Sequence, residues 1–192
     1  MKHTDTFHIC NLELDGQTLR VEDVLAVARA DSPVSCSISC EAQQRMGASN
    51  ALKHDLLATR QPIYGVTTGF GDSAKRQIAP EKAASLQQNL VQYHLNGIGP
   101  VASPEVARAT LLIRANCLAR GNSGARVEVA ERLLSYLHWD LLPLIPERGS
   151  VGASGDLVPL SYVASALIGQ GEIWYEGKIR DVREVLSTLE IE

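Results

Sequence analysis

Apolar residues recur at the spacing of an α-helix along most of the chain. Ser103, Pro104 and Glu105 stand in the order of N-cap, proline at the first helical position and acid in the first turn. Gly121 marks the end of the helix that they open. The apolar periodicity predicts helices over residues 22–30, 39–59, 81–95, 103–120, 127–137, 157–168 and 182–189.

Only short segments have the pattern of β-strands. We expect a strand over residues 7–14 before a turn at Asp15-Gly16, and a hairpin over 172–180 that turns at Glu176-Gly177. The segment from Pro143 to Pro146 is interpreted as a proline-containing link. The predicted fold is mainly α with small β additions, and residues 1–192 form a single domain without internal repeats.

Composition narrows the possible partners and the compartment. A formal net charge of −4 over 192 residues argues against nucleic acid or an anionic membrane as the main partner. No apolar run approaches the roughly 20 residues of a membrane helix, and the N-terminus lacks the apolar core of a signal peptide, so a cytoplasmic protein is expected. The four cysteines are interpreted as reduced thiols, and no metal site is expected because a second pair of ligands is missing.

The residues Ala153-Ser154-Gly155 are the most informative for chemistry. If the amide nitrogen of Gly155 attacks the carbonyl carbon of Ala153, the backbone closes into a five-membered ring, which only small residues in a tight turn permit. Loss of water and of the Ser154 hydroxyl then leaves a methylidene carbon conjugated to an imidazolone. Asp156 is a suitable N-cap for the helix that follows, whose positive end favours an adduct that gains electron density. The bare tripeptide also fits an ordinary loop and helix cap.

The longer string from Gly149 to Tyr162, GSVGASGDLVPLSY, closely resembles the signature of the ammonia-lyases that act on histidine, phenylalanine and tyrosine. The resemblance implies the 4-methylideneimidazole-5-one group, MIO, at Ala153, Ser154 and Gly155. It also implies the N-terminal part of an L-aspartase/fumarase-like helical fold. No metal and no nucleotide cofactor are implied.

A second block, PIYGVTTGFG from Pro62 to Gly71, resembles the mobile inner loop of that family, in which the tyrosine is the catalytic base. Tyr64 matches the base and Gly71 a substrate-binding position. A free phenol has a pKa of about 10, so a tyrosine that acts as a base needs neighbours that stabilise the phenolate. The alternative from the residues alone is a buried tyrosine in a short strand.

The glycines after Tyr64 also fit a dinucleotide-binding turn. Residues Gly69 to Ala74 match G-x-G-x-x-A after a short apolar run. That motif requires an acidic residue about 20 positions further on, at the end of a second strand. Here residues 90–93 contain no acid and have a helical pattern, which argues against a dinucleotide site.

A third block, QNLVQYHLNG from Gln88 to Gly97, resembles the helix end that contacts the aromatic ring of the substrate. Tyr93 and His94 match the two residues that select the substrate. His94 is expected to donate a hydrogen bond to a phenol or an imidazole, although a histidine on such a helix is often structural. The pair Tyr-His differs from the pairs usual for histidine, tyrosine or phenylalanine enzymes, so the substrate stays open. A fourth block, Arg114 to Gly124, resembles a mainly structural segment of the family.

The resemblance covers residues 12–185 and implies an ammonia-lyase that converts an aromatic amino acid to an α,β-unsaturated acid. Family members form homotetramers, continue into a C-terminal helical bundle that this chain lacks, and assemble each site from several subunits. We therefore expect a homo-oligomer or association with a C-terminal part, with uncovered apolar surface on the helix over 103–120. Two alternatives remain, an MIO-dependent aminomutase and a catalytically inactive fragment or assembly partner.

Overall fold

The computed structural model describes residues 11–31, 33–149, 155 and 157–191. Ala153, Ser154, Asp156 and the first four residues of the expected strand over 7–14 lie outside this part. The α-helices of the described part are α1 (Val21–Ala28), α2 (Cys40–Ala58), α3 (Ala83–Tyr93), α4 (Pro104–Ala119), α5 (Val127–His138), α6 (Leu157–Leu167) and α7 (Val182–Thr188). The strands are β1 (Leu12–Leu14), β2 (Cys36–Ile38), β3 (Ile98–Val101), β4 (Leu142–Pro143), β5 (Pro146–Arg148), β6 (Glu172–Tyr175) and β7 (Lys178–Asp181).

Helices α4 and α5 form the centre of the core, and α1 and α2 pack on α4. Leu111 and Leu112 of α4 and Leu133 of α5 are fully buried, and each contributes about 1.5–3 kcal/mol by leaving water. Tyr136 of α5 donates its hydroxyl to the Ala166 carbonyl of α6 at 2.6 Å. Burial raises the pKa of Tyr136 to about 12. This hydrogen bond fixes the far end of α6 to the core.

Residues near the start of the described chain are hydrogen-bonded to the C-terminal end of α4 and pack closely against it. Gly16 donates its backbone N–H to the side-chain oxygen of Asn116 at 3.0 Å. Gly16 has a φ of +78°, and a Cβ there would lie 2.5 Å from the Arg120 nitrogen, so only glycine fits. Gly124 is held similarly by α2, since its N–H binds the Ser49 hydroxyl at 3.0 Å. These contacts support the structural interpretation of the segment from Arg114 to Gly124.

The strands form three small sheets. Strands β1 and β2 pair in parallel, β3 pairs with β5 in antiparallel fashion, and β4, β6 and β7 form an antiparallel sheet in that order. The turn between β6 and β7 has positive φ at both Glu176 and Gly177, as a type I′ turn requires. The hairpin was therefore predicted at the correct turn residues.

All seven predicted helices are present in the described part, with ends that differ from the predicted ends by at most a few residues. The interpretation of Pro143 to Pro146 as a link is wrong in part, because Pro143 ends β4 and Pro146 begins β5. Both prolines lie at strand ends, where a missing backbone donor is tolerated. No helix of the described part is long and apolar enough to cross a membrane.

Candidate active site

Three segments of the chain meet at the first turn of α6. Strand β5 ends at Arg148, which pairs with Ile98, the first residue of β3. Strand β3 follows α3 in the chain. A Cβ on Gly149 would lie 2.9 Å from the Val158 Cβ, and a Cβ on Gly97 would lie 3.2 Å from the Val158 Cγ1. These close approaches need glycine. The end of α3, the end of β5 and the start of α6 therefore contact one another around Val158.

Gly155 is the residue of the expected ring that the structure describes, and it lies two positions before α6 begins. It is exposed, has a φ of +84° and has no atom within 4 Å of an ideal Cβ. A side chain is disfavoured by this backbone conformation and not by lack of space. A glycine with this left-handed backbone, two positions ahead of a helix N-terminus, is compatible with the residue that closes an MIO ring.

Tyr64 lies in a turn and 64% of it is exposed. The alternative of a buried tyrosine in a short strand is therefore wrong. The hydroxyl oxygen accepts the Gly71 N–H at 3.1 Å, and the ring meets Phe70 edge to face with 6.2 Å between ring centroids. A donor aimed at a phenolic oxygen stabilises negative charge on it. Tyr64 and Gly71, predicted from one motif, are thus joined directly.

The loop that carries Tyr64 is shaped by hydrogen bonds to threonine side chains. Thr67 accepts the Ile63 N–H at 2.8 Å, and Thr68 accepts the Gly65 N–H at 3.1 Å. Gly65 has a φ of +72°, and a Cβ there would lie 2.9 Å from the Phe70 ring. The loop thus has a defined conformation although its apolar side chains are not buried.

The dinucleotide-binding alternative finds no support here. After Gly69 the chain forms a 3₁₀-helix over Gly71–Lys75, and the residues before Gly69 form a turn. A dinucleotide site needs a strand before the glycines and an α-helix after them.

Tyr93 is the last residue of α3, and His94 caps the helix. Tyr93 is exposed and His94 is half-buried. The His94 Nδ1 lies 2.7 Å from the Leu90 carbonyl oxygen. Because a carbonyl only accepts hydrogen bonds, Nδ1 carries a proton, and the Nε2 of the neutral ring is an acceptor instead of the donor expected from the sequence. His94 lies three residues before Gly97, whose backbone closely approaches Val158 in the first turn of α6.

Gln87 is a residue of this site that the sequence motifs did not single out. Its side-chain nitrogen donates to the carbonyl oxygen of Gly65, the residue after Tyr64. Gln87 and His94 are seven positions apart, which places them on one face of α3 at a separation of about 10 Å along the axis. The only sequence signal is this shared helix face.

The assembled site is open. Tyr64, Tyr93 and Gly155 are all exposed, and none of them lines either of two cavities, of about 450 and 390 Å³, that lie elsewhere in the described part. Within the same residues, no group of three histidine, cysteine, aspartate or glutamate side chains is arranged to hold a metal ion. The structure thus brings the Tyr64 loop, the Tyr93-His94 pair and Gly155 onto elements that touch, without enclosing them.

The fold of the described part is mainly helical with small sheets, and comparison with known proteins identifies the family. The sequence profile described as aromatic amino acid lyase matches residues 19–192. The chain belongs to the aromatic amino acid lyase family.

Similar proteins include both lyases and aminomutases. A histidine ammonia-lyase of Streptococcus gordonii is 40% identical over 185 residues, which are 96% of this chain and 35% of that protein. The crystal structure of a tyrosine aminomutase from Streptomyces globisporus is similar with a TM-score of 0.88 and 38% identity, over 95% of this chain and 34% of that one. A histidine ammonia-lyase from Trypanosoma cruzi has a TM-score of 0.85 and 34% identity, over 95% and 35% of the two chains. The chain spans about a third of the length of these relatives.

Proposed function

We propose that this chain provides the electrophile and the base of an ammonia-lyase that acts on an aromatic amino acid. Ala153, Ser154 and Gly155 would form MIO, which supplies an electron-poor methylidene carbon that unmodified side chains do not offer. The left-handed backbone of Gly155 just before α6 is the observation that carries this proposal. It agrees with a ring that forms only where the chain turns tightly.

Tyr64 is the proposed base. The β-proton of the substrate passes to the Tyr64 oxygen, the bond from Cα to nitrogen breaks, and ammonia and an α,β-unsaturated acid leave. The Gly71 N–H that points at the Tyr64 oxygen stabilises the negative charge that a base must carry before it takes the proton. The exposed position of the loop lets a substrate reach this oxygen before the loop closes.

His94 is the proposed contact for the ring of the substrate. The Nδ1–H of His94 is engaged by the Leu90 carbonyl, so the neutral imidazole presents the Nε2 acceptor. An acceptor favours a ring that carries a donor, such as the N–H of histidine or the O–H of tyrosine. Phenylalanine has no donor and leaves the acceptor unpaired, which costs binding energy. We therefore propose histidine or tyrosine as the substrate.

An aminomutase is a second candidate, because a tyrosine aminomutase of known structure is 38% identical over 95% of the chain. A mutase returns the ammonia to the β-carbon and releases a β-amino acid, whereas a lyase releases the unsaturated acid. Chiral separation of the products distinguishes the two.

Ultraviolet absorbance of the unsaturated acid tests the proposal with L-histidine, L-tyrosine and L-phenylalanine as separate substrates. We expect Ser154→Ala to abolish product formation and Tyr64→Phe to lower it at least about 100-fold, the usual contribution of a general base. Tyr175→Phe, on the β6–β7 hairpin, is the matched control and should retain activity. A Tyr64→Phe variant as active as the unaltered protein would exclude Tyr64 as the base. No product from the unaltered protein with any of the three substrates would favour an inactive fragment.

A further inference from the structure

We infer that Gln87 is a positioning residue that holds the Tyr64 loop against α3. The side-chain amide of Gln87 donates to the Gly65 carbonyl, which belongs to the residue directly after Tyr64. This contact joins two segments that lie 22 residues apart in the chain. The inference deepens the proposed function, since it concerns the placement of the proposed base.

The loop has few other means of attachment. Tyr64 is 64% exposed, and between Met46 and Ala107, which are both buried, the structure describes no other buried hydrophobic side chain. Most hydrogen bonds of the loop join residues within it, such as the Ile78 N–H to the Thr67 carbonyl at 2.7 Å. A loop whose apolar side chains are at most half-buried opens easily as a unit unless a contact holds it to a neighbouring element. Gln87 makes such a contact.

The same helix carries the residues proposed to contact the substrate. Gln87 and His94 lie on one face of α3, about 10 Å apart along the axis. Helix α3 in turn packs on α6, which begins two residues after Gly155. The hydrogen bond from Gln87 to the loop therefore sets the position of Tyr64 relative both to His94, the proposed contact for the substrate ring, and to the expected electrophile.

Gln87→Met tests this role and Gln88→Met is the matched control. Methionine keeps the length and helix propensity of glutamine but has no donor. The Gln88 side chain is exposed and makes no hydrogen bond to the residues that the structure describes. Losing one such hydrogen bond should speed amide hydrogen exchange in peptides covering residues 62–78 by about three- to tenfold. Gln88→Met should leave exchange within about twofold of the unaltered protein.

A second pair of variants separates donation from packing. Gln87→Glu keeps the shape of the side chain but has no donor when ionised, whereas the protonated carboxyl donates again. Exchange of the loop relative to the unaltered protein should therefore be fast at neutral pH. It should return toward the unaltered value as pH falls through the ordinary glutamate pKa of about 4.3. Gln88→Glu adds the same charge at the neighbouring position, and its loop exchange should show no such change as pH falls.

Exchange measurements do not need turnover, so they test the inference even if the proposed function fails. If the protein turns over substrate, Gln87→Met should lower kcat about tenfold with KM within about twofold, since the base is displaced while substrate binding is kept. Equal exchange of the loop in Gln87→Met and Gln88→Met would overturn the inference. A Gln87→Glu loop that stays fast at all pH values would exclude a role as donor.

Discussion

Residues of the site are held by backbone groups more than by charged partners. Tyr64 receives the Gly71 N–H, His94 Nδ1 donates to the Leu90 carbonyl, and Gln87 donates to the Gly65 carbonyl. Neutral contacts of this kind are insensitive to salt, unlike exposed ion pairs. The placement of these side chains should therefore persist over a wide range of ionic strength.

Cysteine reactivity offers a test at the residue scale. Cys36 is half-buried, and burial raises the pKa of its thiol to about 11, whereas Cys40 and Cys117 are exposed. Because the thiolate is the nucleophile, we expect Cys36 to be alkylated much more slowly than Cys117 at about pH 8. The Cys36 rate should rise about tenfold per pH unit as pH approaches 11. Peptide mapping by mass spectrometry after timed alkylation measures the rate at each cysteine separately.

The raised pKa of the Cys36 thiol also makes the free energy of unfolding depend on pH. The unfolded thiol loses its proton near the ordinary value of 9.0, before the folded one. The contribution of Cys36 to the free energy of unfolding is therefore complete below about pH 9 and declines as pH rises toward 11. A Cys36 that reacts as fast as Cys117 at about pH 8 would contradict the burial of this thiol.

Helix α3 connects the Tyr64 loop to the other parts of the candidate site. Its residues contact the Tyr64 loop, it ends at the Tyr93-His94 pair, and the chain after it packs against α6 at Gly97. Yet the structure describes no buried residue on α3. Its position therefore depends on hydrogen bonds, on its packing against α6 and on the close approach at Gly97, and small changes at Gly97 should have large effects on the site.

Gly97→Ala tests this dependence, with Gly47→Ala as control. A Cβ at Gly97 would lie 2.9 Å from the Pro146 Cβ, so the substitution should lower the free energy of unfolding by about 1–3 kcal/mol. Gly47 lies within α2 with no atom within 4 Å of an added Cβ, so alanine there should raise the free energy of unfolding by about 0.5–1 kcal/mol. Urea denaturation followed by circular dichroism measures both. Equal effects would contradict the close packing at Gly97.

Helices could be predicted from the sequence because their signals are local. The cap at Ser103-Pro104 and the terminating Gly121 lie next to the helix that they bound. Strands β2 and β3 were not predicted, since each is three or four residues long and is defined by a distant partner, as Ile98 is by Arg148. Local periodicity carries no information about such pairings.

The candidate site was predictable in part for the same reason. Tyr64, Tyr93 and His94 stand in contiguous motifs, and the structure places them on elements in contact. Their roles, and those of Ala153, Ser154, Gly155 and Gly71, remain predictions. Gln87 was not found, because a hydrogen bond to a loop 22 residues away leaves no sequence motif. Gly97 ends the third motif, but its packing contact with α6 could not be predicted from that motif.

Burial is unevenly distributed over the molecule as a whole. The core is built by α1, α4, α5 and their neighbours, whereas the segment between Met46 and Ala107 has no hydrophobic side chain among those described as buried. Val106 and Ile113 of α4 are 50% and 45% exposed, which confirms the expected uncovered surface on that helix. Val106 and Ile113 lie seven positions apart and so share one face of α4, where contact with another chain or segment would cover both.

Association is the prediction at this scale. We expect the protein to form oligomers whose average mass rises with concentration, because contact covers apolar surface. Sedimentation velocity over about a hundredfold range of concentration measures this mass. Val106→Glu combined with Ile113→Glu should weaken association if α4 contributes, whereas charge added at the exposed Gln88 serves as control. A monomer at all concentrations would contradict the prediction.

Intact mass spectrometry of the purified protein tests the central claim most directly. Ring closure at Ala153, Ser154 and Gly155 removes two waters, so we predict a mass about 36 Da below that of the unmodified chain. Ser154→Ala should show no such deficit. A protein with the full unmodified mass would contradict the formation of the electrophile on which the proposed function rests.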